Sequence, residues 1–384
     1  LQNKRVLLRE DFNVPLKAGR IESEVRLQAA LPTIKQALKQ GAKLILLSHL
    51  GRPIEGQDSA ELSLAPVAQR LSVLLTQPVR LIQNWLTEPF ALSAGEVVIC
   101  ENVRFQIGEK ANDPKLARKI AGLGEVFVMD AFATVHRAEA STAGVTAFVQ
   151  EACAGPLLLK EIQALDKIMQ QPVRPLVAIV GGSKVSTKLT VLKSLMAKVQ
   201  GLILGGGIAN TFLAAQGYHI GKSLYEADLI ETAQSLMKQA TAYGVNIYLP
   251  QDLRLADSFH ADTKARIAEL TEVKAQEMIL DVGPRTSAHY AQLLQKAGTI
   301  LWNGPLGVFE FPAFAAGTSA LAEAIAQSPA FSVAGGGDTL AAIEQFGVAP
   351  QLSYISTGGG AFLEYIEGKT LPALEALAKR TKNL

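Results

Sequence analysis

The chain has 384 residues, a formal net charge of +2, 48% hydrophobic and 6% aromatic residues. With near-neutral charge and no long block of one sign, it offers no nucleic-acid face. Two cysteines, Cys100 and Cys153, are too few for a disulfide framework or a cysteine-based metal site, and no unbroken apolar stretch of about 20 residues signals a membrane span. The length suits about two domains, the Leu/Ile/Val/Ala-rich composition suits α/β layers, and the cysteine usage suits a reducing, cytoplasmic setting. No signal peptide is read. The chain opens at Leu1 rather than Met, which leaves room for residues in front.

In chain order, short apolar runs read as strands at Val6–Leu8, Leu44–Leu47, Val97–Ile99 and Val126–Met129. They recur at Leu176–Val180, Leu202–Leu204, Ile247–Leu249, Met278–Leu280, Ile300–Trp302, Phe331–Val333 and Leu352–Ile355. Most are apolar at consecutive positions, as in strands buried on both faces of a parallel sheet. Helical patterns run between them: Val25–Gln40 stopped by Gly41, Pro66–Leu75, and Ser287–Ala297 stopped by Gly298. Gly155-Pro156 opens another, on which Leu158, Ile162, Leu165 and Met169 recur at helical spacing, and Gln171-Pro172 closes it. The expected fold is α/β, with two doubly wound, Rossmann-like parallel-sheet lobes over residues 1–155 and 172–370. An inter-domain helix over 156–171 and a hinge join them.

The two halves differ in chemistry. Residues 1–155 hold 10 of the 15 arginines, and the remainder holds 22 of the 32 glycines. Arginine grips phosphate or carboxylate in a bidentate manner, whereas glycine lets a backbone wrap closely around a ligand. In open α/β sheets ligands gather beyond the carboxyl ends of the strands, and polar residues collect at those places here. In the first half, Arg26, His49, Arg52, Arg104 and Arg137 are candidates for one basic pocket. Asp11 and Asn13 are placed to share hydrogen bonds with a ligand hydroxyl. Guanidinium groups gathered without carboxylate partners repel, so a small polyanion is the expected partner; the plain alternative is solvated arginines, or pairs with Glu101 and Glu139. His136 reads as structural.

In the second half, Lys184 and Lys188 are four apart in Gly181–Lys188 and read as one face of a helix start, which favours anions. Each of the runs Gly205–Gly207, Gly335–Gly337 and Gly358–Gly360 follows a strand-like segment and precedes a helical one. The first is a poor dinucleotide fingerprint, because Asn210 stands at the third glycine. Asp338, directly after the second run, suits Mg²⁺ through oxygen or a helix N-cap, and Glu310 suits a ribose.

The segments REDFNVP (Arg9–Pro15), SHLGRP (Ser48–Pro53), ENVRF (Glu101–Phe105) and DAFATVHR (Asp130–Arg137) occur in order. GGSKVSTK (Gly181–Lys188), LWNGPLGVFE (Leu301–Glu310), GGGDT (Gly335–Thr339) and STGGGA (Ser356–Ala361) follow them. Together the eight resemble phosphoglycerate kinase over essentially the whole chain. The resemblance implies reversible phosphoryl transfer from 1,3-bisphosphoglycerate to ADP, with Mg²⁺, in a cytoplasmic monomer whose lobes close about a hinge. It implies substrate contacts at Asp11, Phe12, Asn13, Arg26, His49, Leu50, Gly51, Arg52, Arg104 and Arg137. Nucleotide contacts fall at Lys184, Lys188, Gly205, Gly206, Asn303, Pro305, Glu310, Gly335, Gly336, Gly337, Asp338 and Thr339. The metal carboxylate becomes Asp338, and Arg26, Lys184 and Lys188 become the catalytic charge stabilisers. Residues 371–384 are expected to return to the first lobe. Ala133, Val135, Ser183 and Thr187 depart from the residues usual in the family. Two other readings compete. A nicotinamide-dependent dehydrogenase would place a true Gly-x-Gly-x-x-Gly where GGSKVSTK stands; a non-catalytic nucleotide-binding scaffold would leave the basic pocket unexplained.

Overall fold

The structure, a computed structural model, describes residues 1–381. The chain divides into two compact units, one of residues 1–163 with the segment from Thr370 onward, the other Ala164–Lys369. In chain order the strands of the first unit are β1 (Arg5–Arg9), β2 (Leu16–Lys17), β3 (Arg20–Ile21), β4 (Lys43–Leu47), β5 (Val79–Ile82), β6 (Val97–Cys100), β7 (Val126–Met129) and β8 (Glu151–Ala154). Its helices are α1 (Val25–Lys39), α2 (Ala65–Leu75), α3 (Pro114–Ala121) and α4 (Pro156–Met169), the last running on into the second unit. The second unit adds α5 (Leu189–Met196), α6 (Gly206–Ala215), α7 (Ile230–Ala242), α8 (Pro284–Gln295), α9 (Ala316–Gln327), α10 (Gly337–Phe346) and α11 (Gly360–Ile366). Its strands are β9 (Leu176–Val180), β10 (Gly201–Leu204), β11 (Asn246–Tyr248), β12 (Asp252–Ala256), β13 (Arg266–Glu269), β14 (Met278–Val282), β15 (Thr299–Asn303), β16 (Phe331–Gly335) and β17 (Tyr354–Ser356). The closing helix is α12 (Pro372–Thr381).

Each unit is built on one six-stranded sheet, and every neighbouring pair in both sheets is parallel. The first runs β5-β6-β4-β1-β7-β8 and the second β11-β10-β9-β15-β16-β17. The central strands carry buried apolar residues at successive positions because helices cover both faces. In each unit the chain first winds to one side of its opening strand and then crosses to the other. Crevices therefore open beyond β1 and β7, and beyond β9 and β15, where strand order reverses and ligands bind in such sheets.

The fold departs from the sequence expectation in four places. Met278–Leu280 does not join the parallel sheet; it lies in β14, which with β12 and β13 forms a separate antiparallel sheet, order β13-β12-β14. The edge strands β5 and β8 and the short β2–β3 hairpin were not anticipated, because exposed polar residues interrupt their apolar pattern. Helix α8 starts at Pro284, a turn ahead of the expected Ser287. The Asp252 carboxylate accepts from Arg285 N (3.0 Å) and Thr286 N (2.8 Å), capping that first turn from a strand distant in sequence. Helix α4 ends at Met169 rather than Gln171. Helix α12 packs on the first unit: Ala373 N donates to Val135 O (3.1 Å), and Arg380 Nη2 donates to Val149 O (2.9 Å) and Gln150 O (2.8 Å). The rest of the 371–384 expectation, residues 382–384, lies outside the described residues.

Candidate active site

In the first unit the loops after β1, β4, β6 and β7 bring the basic residues together. Arg26, in the first turn of α1, reaches back to the β1 loop. Its Nη1 is 2.8 Å from Asp11 Oδ2 and donates to Asn13 O (2.8 Å). Asp11 Oδ1 accepts from Asn13 N (3.1 Å), and Asn13 Oδ1 accepts from Gly51 N (2.8 Å), tying the β1 loop to the β4 loop. Buried Arg104 donates Nη1 to Gly51 O (2.8 Å) and Nη2 to Glu139 Oε1 (3.1 Å). The expectation that the guanidinium groups lack carboxylate partners is thus corrected at Arg26 and Arg104. Glu101 serves elsewhere, accepting from Ser63 Oγ and Leu64 N. Arg52 is exposed and Arg137 half-buried, and neither makes an ion pair or a side-chain hydrogen bond among the described residues. Burial first, then Arg104, lowers the Arg137 pKa. The positive charge left over favours an anion. Phe12 and Leu50 are core residues, 0% and 2% exposed, so only their backbone can face a ligand.

His49 lies at the centre of this cluster and is buried. Burial, then Arg9, Arg104, Arg137 and Arg26, holds its imidazole pKa far below the usual value. Its Nδ1 is 3.3 Å from Arg9 Nη2. A guanidinium has no acceptor, so Nδ1 accepts and the single proton sits on Nε2. His49 is a neutral one-proton donor and not a general acid. Nitrogen NMR should show the Nε2–H tautomer unchanged from about pH 5.5 to 8; a protonation step inside that range would refute this reading.

Arg9 was missed as a site residue. It is fully buried, its Nε donates to Ser141 Oγ (3.1 Å), and Ser141 in turn donates to Glu109 (2.5 Å). Burial raises the Glu109 carboxyl to about 7. Arg9 stands in the REDFNVP segment, but its position as the last residue of a strand hides the inward turn of its side chain.

The second unit holds a cavity of about 440 Å³ beyond its sheet, lined in part by Gly182, Gly206, Asn210, Leu306, Glu310 and Asp338. Pro305 also lines it. Gly205 ends the strand-to-helix turn into α6. Gly206 has φ +64°, and a Cβ there would stand 2.7 Å from the Gly182 carbonyl oxygen, so two backbones meet with no room for a side chain. Gly336 adopts φ +104° as the N-cap of α10. No side chain caps α6 or α10, but at α6 Gly206 N donates to Leu306 O (2.9 Å) and Ile208 N to Gly182 O (3.2 Å), so it is the first N–H groups of α10 that are open to an anion.

Lys188 donates through Nζ to Asn303 Oδ1, while Asn303 Nδ2 donates to Gly335 O (2.6 Å) and Gly304 N donates to Thr339 Oγ1 (2.8 Å). These bonds join the loops after β9, β15 and β16. Burial lowers the Lys188 ammonium pKa, opposed by Asp338 and Glu367. The lysines do not share a helix face as expected. Helix α5 begins at Leu189 with Lys188 at its N-cap, and exposed Lys184 lies in the preceding turn. Glu226 holds that turn by accepting from Ser186 N (2.8 Å) and Oγ (2.5 Å). Asp338 is not an N-cap either; it is an exposed residue in the first turn of α10. No group of three or more His, Cys, Asp or Glu suited to a metal occurs among the described residues. A lone carboxylate at a helix N-terminus suits Mg²⁺, which keeps waters and takes phosphate oxygens as further ligands. No helix among the described residues is long and apolar enough to cross a membrane.

A family model described as phosphoglycerate kinase matches residues 1–369. The phosphoglycerate kinase of Francisella tularensis subsp. holarctica is 57% identical over 380 residues, covering 99% of this chain and 97% of that protein. That of Francisella philomiragia subsp. philomiragia is 56% identical with the same coverage. Among solved structures, phosphoglycerate kinase from Coxiella burnetii matches with a TM-score of 0.95 at 54% identity, covering 99% of this chain and 97% of that one. The enzyme from Pyrococcus horikoshii OT3 matches at 0.85 and 34% identity, covering 100% and 98%.

Proposed function

The chain belongs to the phosphoglycerate kinase family, and from that premise we propose that its first unit holds 3-phosphoglycerate or 1,3-bisphosphoglycerate and its second holds Mg-ADP or Mg-ATP. The reaction is the glycolytic, reversible transfer of a phosphoryl group from 1,3-bisphosphoglycerate to ADP. The observation that carries the division of labour is the gathering of Arg26, Arg104 and Arg137 around neutral His49, opposite in character to the glycine-walled cavity of the second unit.

A β-phosphate oxygen of ADP attacks phosphorus, the bond to the acyl oxygen breaks, and the carboxylate of 3-phosphoglycerate leaves. Both oxygens are anionic, so no general base is required. The protein's task is positioning and charge stabilisation, which fits a site whose buried histidine is pushed toward its neutral form by burial and the arginines around it. Arg26 and Lys188 are proposed as the main stabilisers, assisted by Lys184 and the N–H groups opening α10. Asp11, Asn13, His49, Arg52, Arg104 and Arg137 orient the substrate, with the backbone of Phe12, Leu50 and Gly51. Gly205, Gly206, Pro305 and Glu310 hold the nucleoside. Asn303, Thr339 and the Gly335–Gly337 run shape the phosphate end. Asp338 would hold Mg²⁺, which when bound neutralises charge on the nucleotide phosphates. Gly358–Gly360 is proposed to face the transferring group and to flex. Hinge-bending that excludes water belongs to this reading, as do a monomeric state and a cytoplasmic setting.

A coupled assay with 3-phosphoglycerate, Mg-ATP and an NADH-linked reporter tests the proposal. Turnover that needs all three of substrate, nucleotide and Mg²⁺ is expected. Nucleotide binding without turnover would leave a scaffold, and sedimentation of a dimer would remove the monomer.

A further inference from the structure

Beneath the substrate loop lies a pair of carboxyl groups that the transfer chemistry does not use. Glu10 follows β1 directly and is 1% exposed; Asp130 follows β7 and is fully buried. Strands β1 and β7 pair with Arg9 beside Met129, and Asp130 N donates to Arg9 O (3.0 Å), so the two carboxyl groups follow adjacent strand ends, where their side chains come within hydrogen-bonding reach of each other. Two carboxylates cannot make that bond, so one of the pair carries a proton and donates it. The surrounding donors decide which. Asp130 Oδ2 accepts from Thr33 Oγ1 (2.5 Å), and its Oδ1 accepts from Leu158 N (2.8 Å). Glu10 Oε1 is buried with no partner. Negative charge rests where donors converge, so Asp130 is the carboxylate and Glu10 the acid.

The charged groups facing Glu10 agree with this assignment. Asp130 and Asp11 both disfavour ionisation, and only Arg9 favours it. The Arg9 guanidinium, however, is engaged by Ser141, His49 and the Glu10 backbone carbonyl. Burial, the largest cause, pushes the Glu10 carboxyl well above its usual range.

The pair sits where several parts of the site join. Strand β1 runs through Glu10 into Asp11 and Asn13. Thr33 lies two turns beyond Arg26 on α1. Leu158 is in the first turn of α4, and the adjoining Gly155 has no room for a side chain because the Asp130 carboxylate fills that space. We propose that Glu10 donates a hydrogen bond to Asp130 from a neutral carboxyl group and thereby positions the Asp11–Asn13 loop, α1 and the first turn of α4 as one assembly. Glu10 acts on phosphoryl transfer through that loop and touches no substrate, which makes it a positioning residue. The functional half of this inference rests on the proposal that the loop faces 3-phosphoglycerate; the protonation half does not.

The experiment compares the full chain with Glu10→Gln and Glu10→Ala, measuring kcat, KM for each substrate and the thermal midpoint from about pH 6 to 9. A folded-state carboxyl that keeps its proton where the unfolded chain has lost it stabilises fully only below the unfolded value. That stability is lost as pH rises toward the folded value. Glutamine donates the same bond without titrating, so Glu10→Gln should gain in midpoint relative to the parent as pH rises and should keep the parent's KM and kcat near neutrality. Glu10→Ala should raise KM for 3-phosphoglycerate or lower kcat by on the order of tenfold, with KM for ATP little changed. Parallel midpoint curves for the parent and Glu10→Gln would overturn the neutral acid. An alanine variant with the parent's kinetics would overturn the positioning role. If Glu10→Ala does not fold, loss of 3-phosphoglycerate affinity in Glu10→Gln above pH 8 in step with the parent overturns the proposal, and retention there supports it. If the loop does not face 3-phosphoglycerate at all, Arg26→Ala leaves KM for it unchanged while the midpoint signature persists.

Discussion

Replacing Arg26 with alanine is expected to lower kcat by roughly a thousandfold or more, the scale on which a charge-stabilising arginine acts in phosphoryl transfer. The guanidinium is held 2.8 Å from Asp11 Oδ2 and from Asn13 O at the open end of the β1 loop. It therefore neutralises Asp11 in addition to its proposed role facing the ligand. Its removal leaves Asp11 as an uncompensated negative charge beside an anionic substrate, so KM for 3-phosphoglycerate should rise too. KM for ATP should stay within about twofold, because the nucleotide is assigned to the other unit. The fold should survive: the pair is partly exposed, with side-chain exposures of 30% and 11%, and such pairs contribute about 1 kcal/mol or less. Arg26→Lys restores charge but not the forked geometry and should recover only part of the loss. Near-full turnover in the alanine variant, with an unchanged melting midpoint, would remove Arg26 from the catalytic role.

The central strands were legible because strands covered on both faces cannot hide: β4 reads Lys-Leu-Ile-Leu-Leu and β9 reads Leu-Val-Ala-Ile-Val. The loops after them were legible because parallel α/β sheets place ligands at one end of every strand. What escaped depended on partners far away in sequence. Strand β8 reads Glu-Ala-Cys-Ala because it is an edge strand, alternately exposed. Strand β12 carries Asp252 and Arg254 among its apolar residues because one caps α8 and the other approaches buried Asp281 (3.9 Å). Spacing placed Lys184 and Lys188 on a helix, but Glu226, from a distant segment, holds their segment as a turn. At the basic site composition revealed the excess of arginine but not its arrangement. Whether Arg104 meets Glu101 or Glu139, and whether Arg9 points outward or into the core, is decided by long-range packing. The glycine runs show the same limit. Their position after strands marked a ligand end, whereas the demand for glycine at residue 206 comes equally from the Gly182 backbone pressed against it.

Lys188 bears the second large effect. Its ammonium is half-buried and donates to Asn303, whose amide is locked on Gly335 O. It is thus a donor of fixed orientation at the place where the nucleotide phosphates are proposed to bind. Removing one such donor from a water-poor site typically costs a factor of about 10²–10³ in rate, so Lys188→Ala should lose that much in kcat, with KM for ATP raised only a few-fold. Burial works against the charge it needs, and the carboxylates of Asp338 and Glu367 recover only part of it, so its pKa lies below that of an ordinary lysine. The sign follows: a base whose folded-state pKa is depressed loses its proton in the native enzyme at a pH where the unfolded chain still holds it. Stability therefore rises with pH through that window while activity falls. The parent enzyme should show an alkaline limb in kcat below the usual lysine range. Lys188→Arg, which does not deprotonate there, should keep part of the turnover and move that limb to higher pH. An alkaline limb that stays in place in the arginine variant would assign it to another group, and an alanine variant within about threefold of the parent would end the claim that Lys188 stabilises the transferring phosphoryl group.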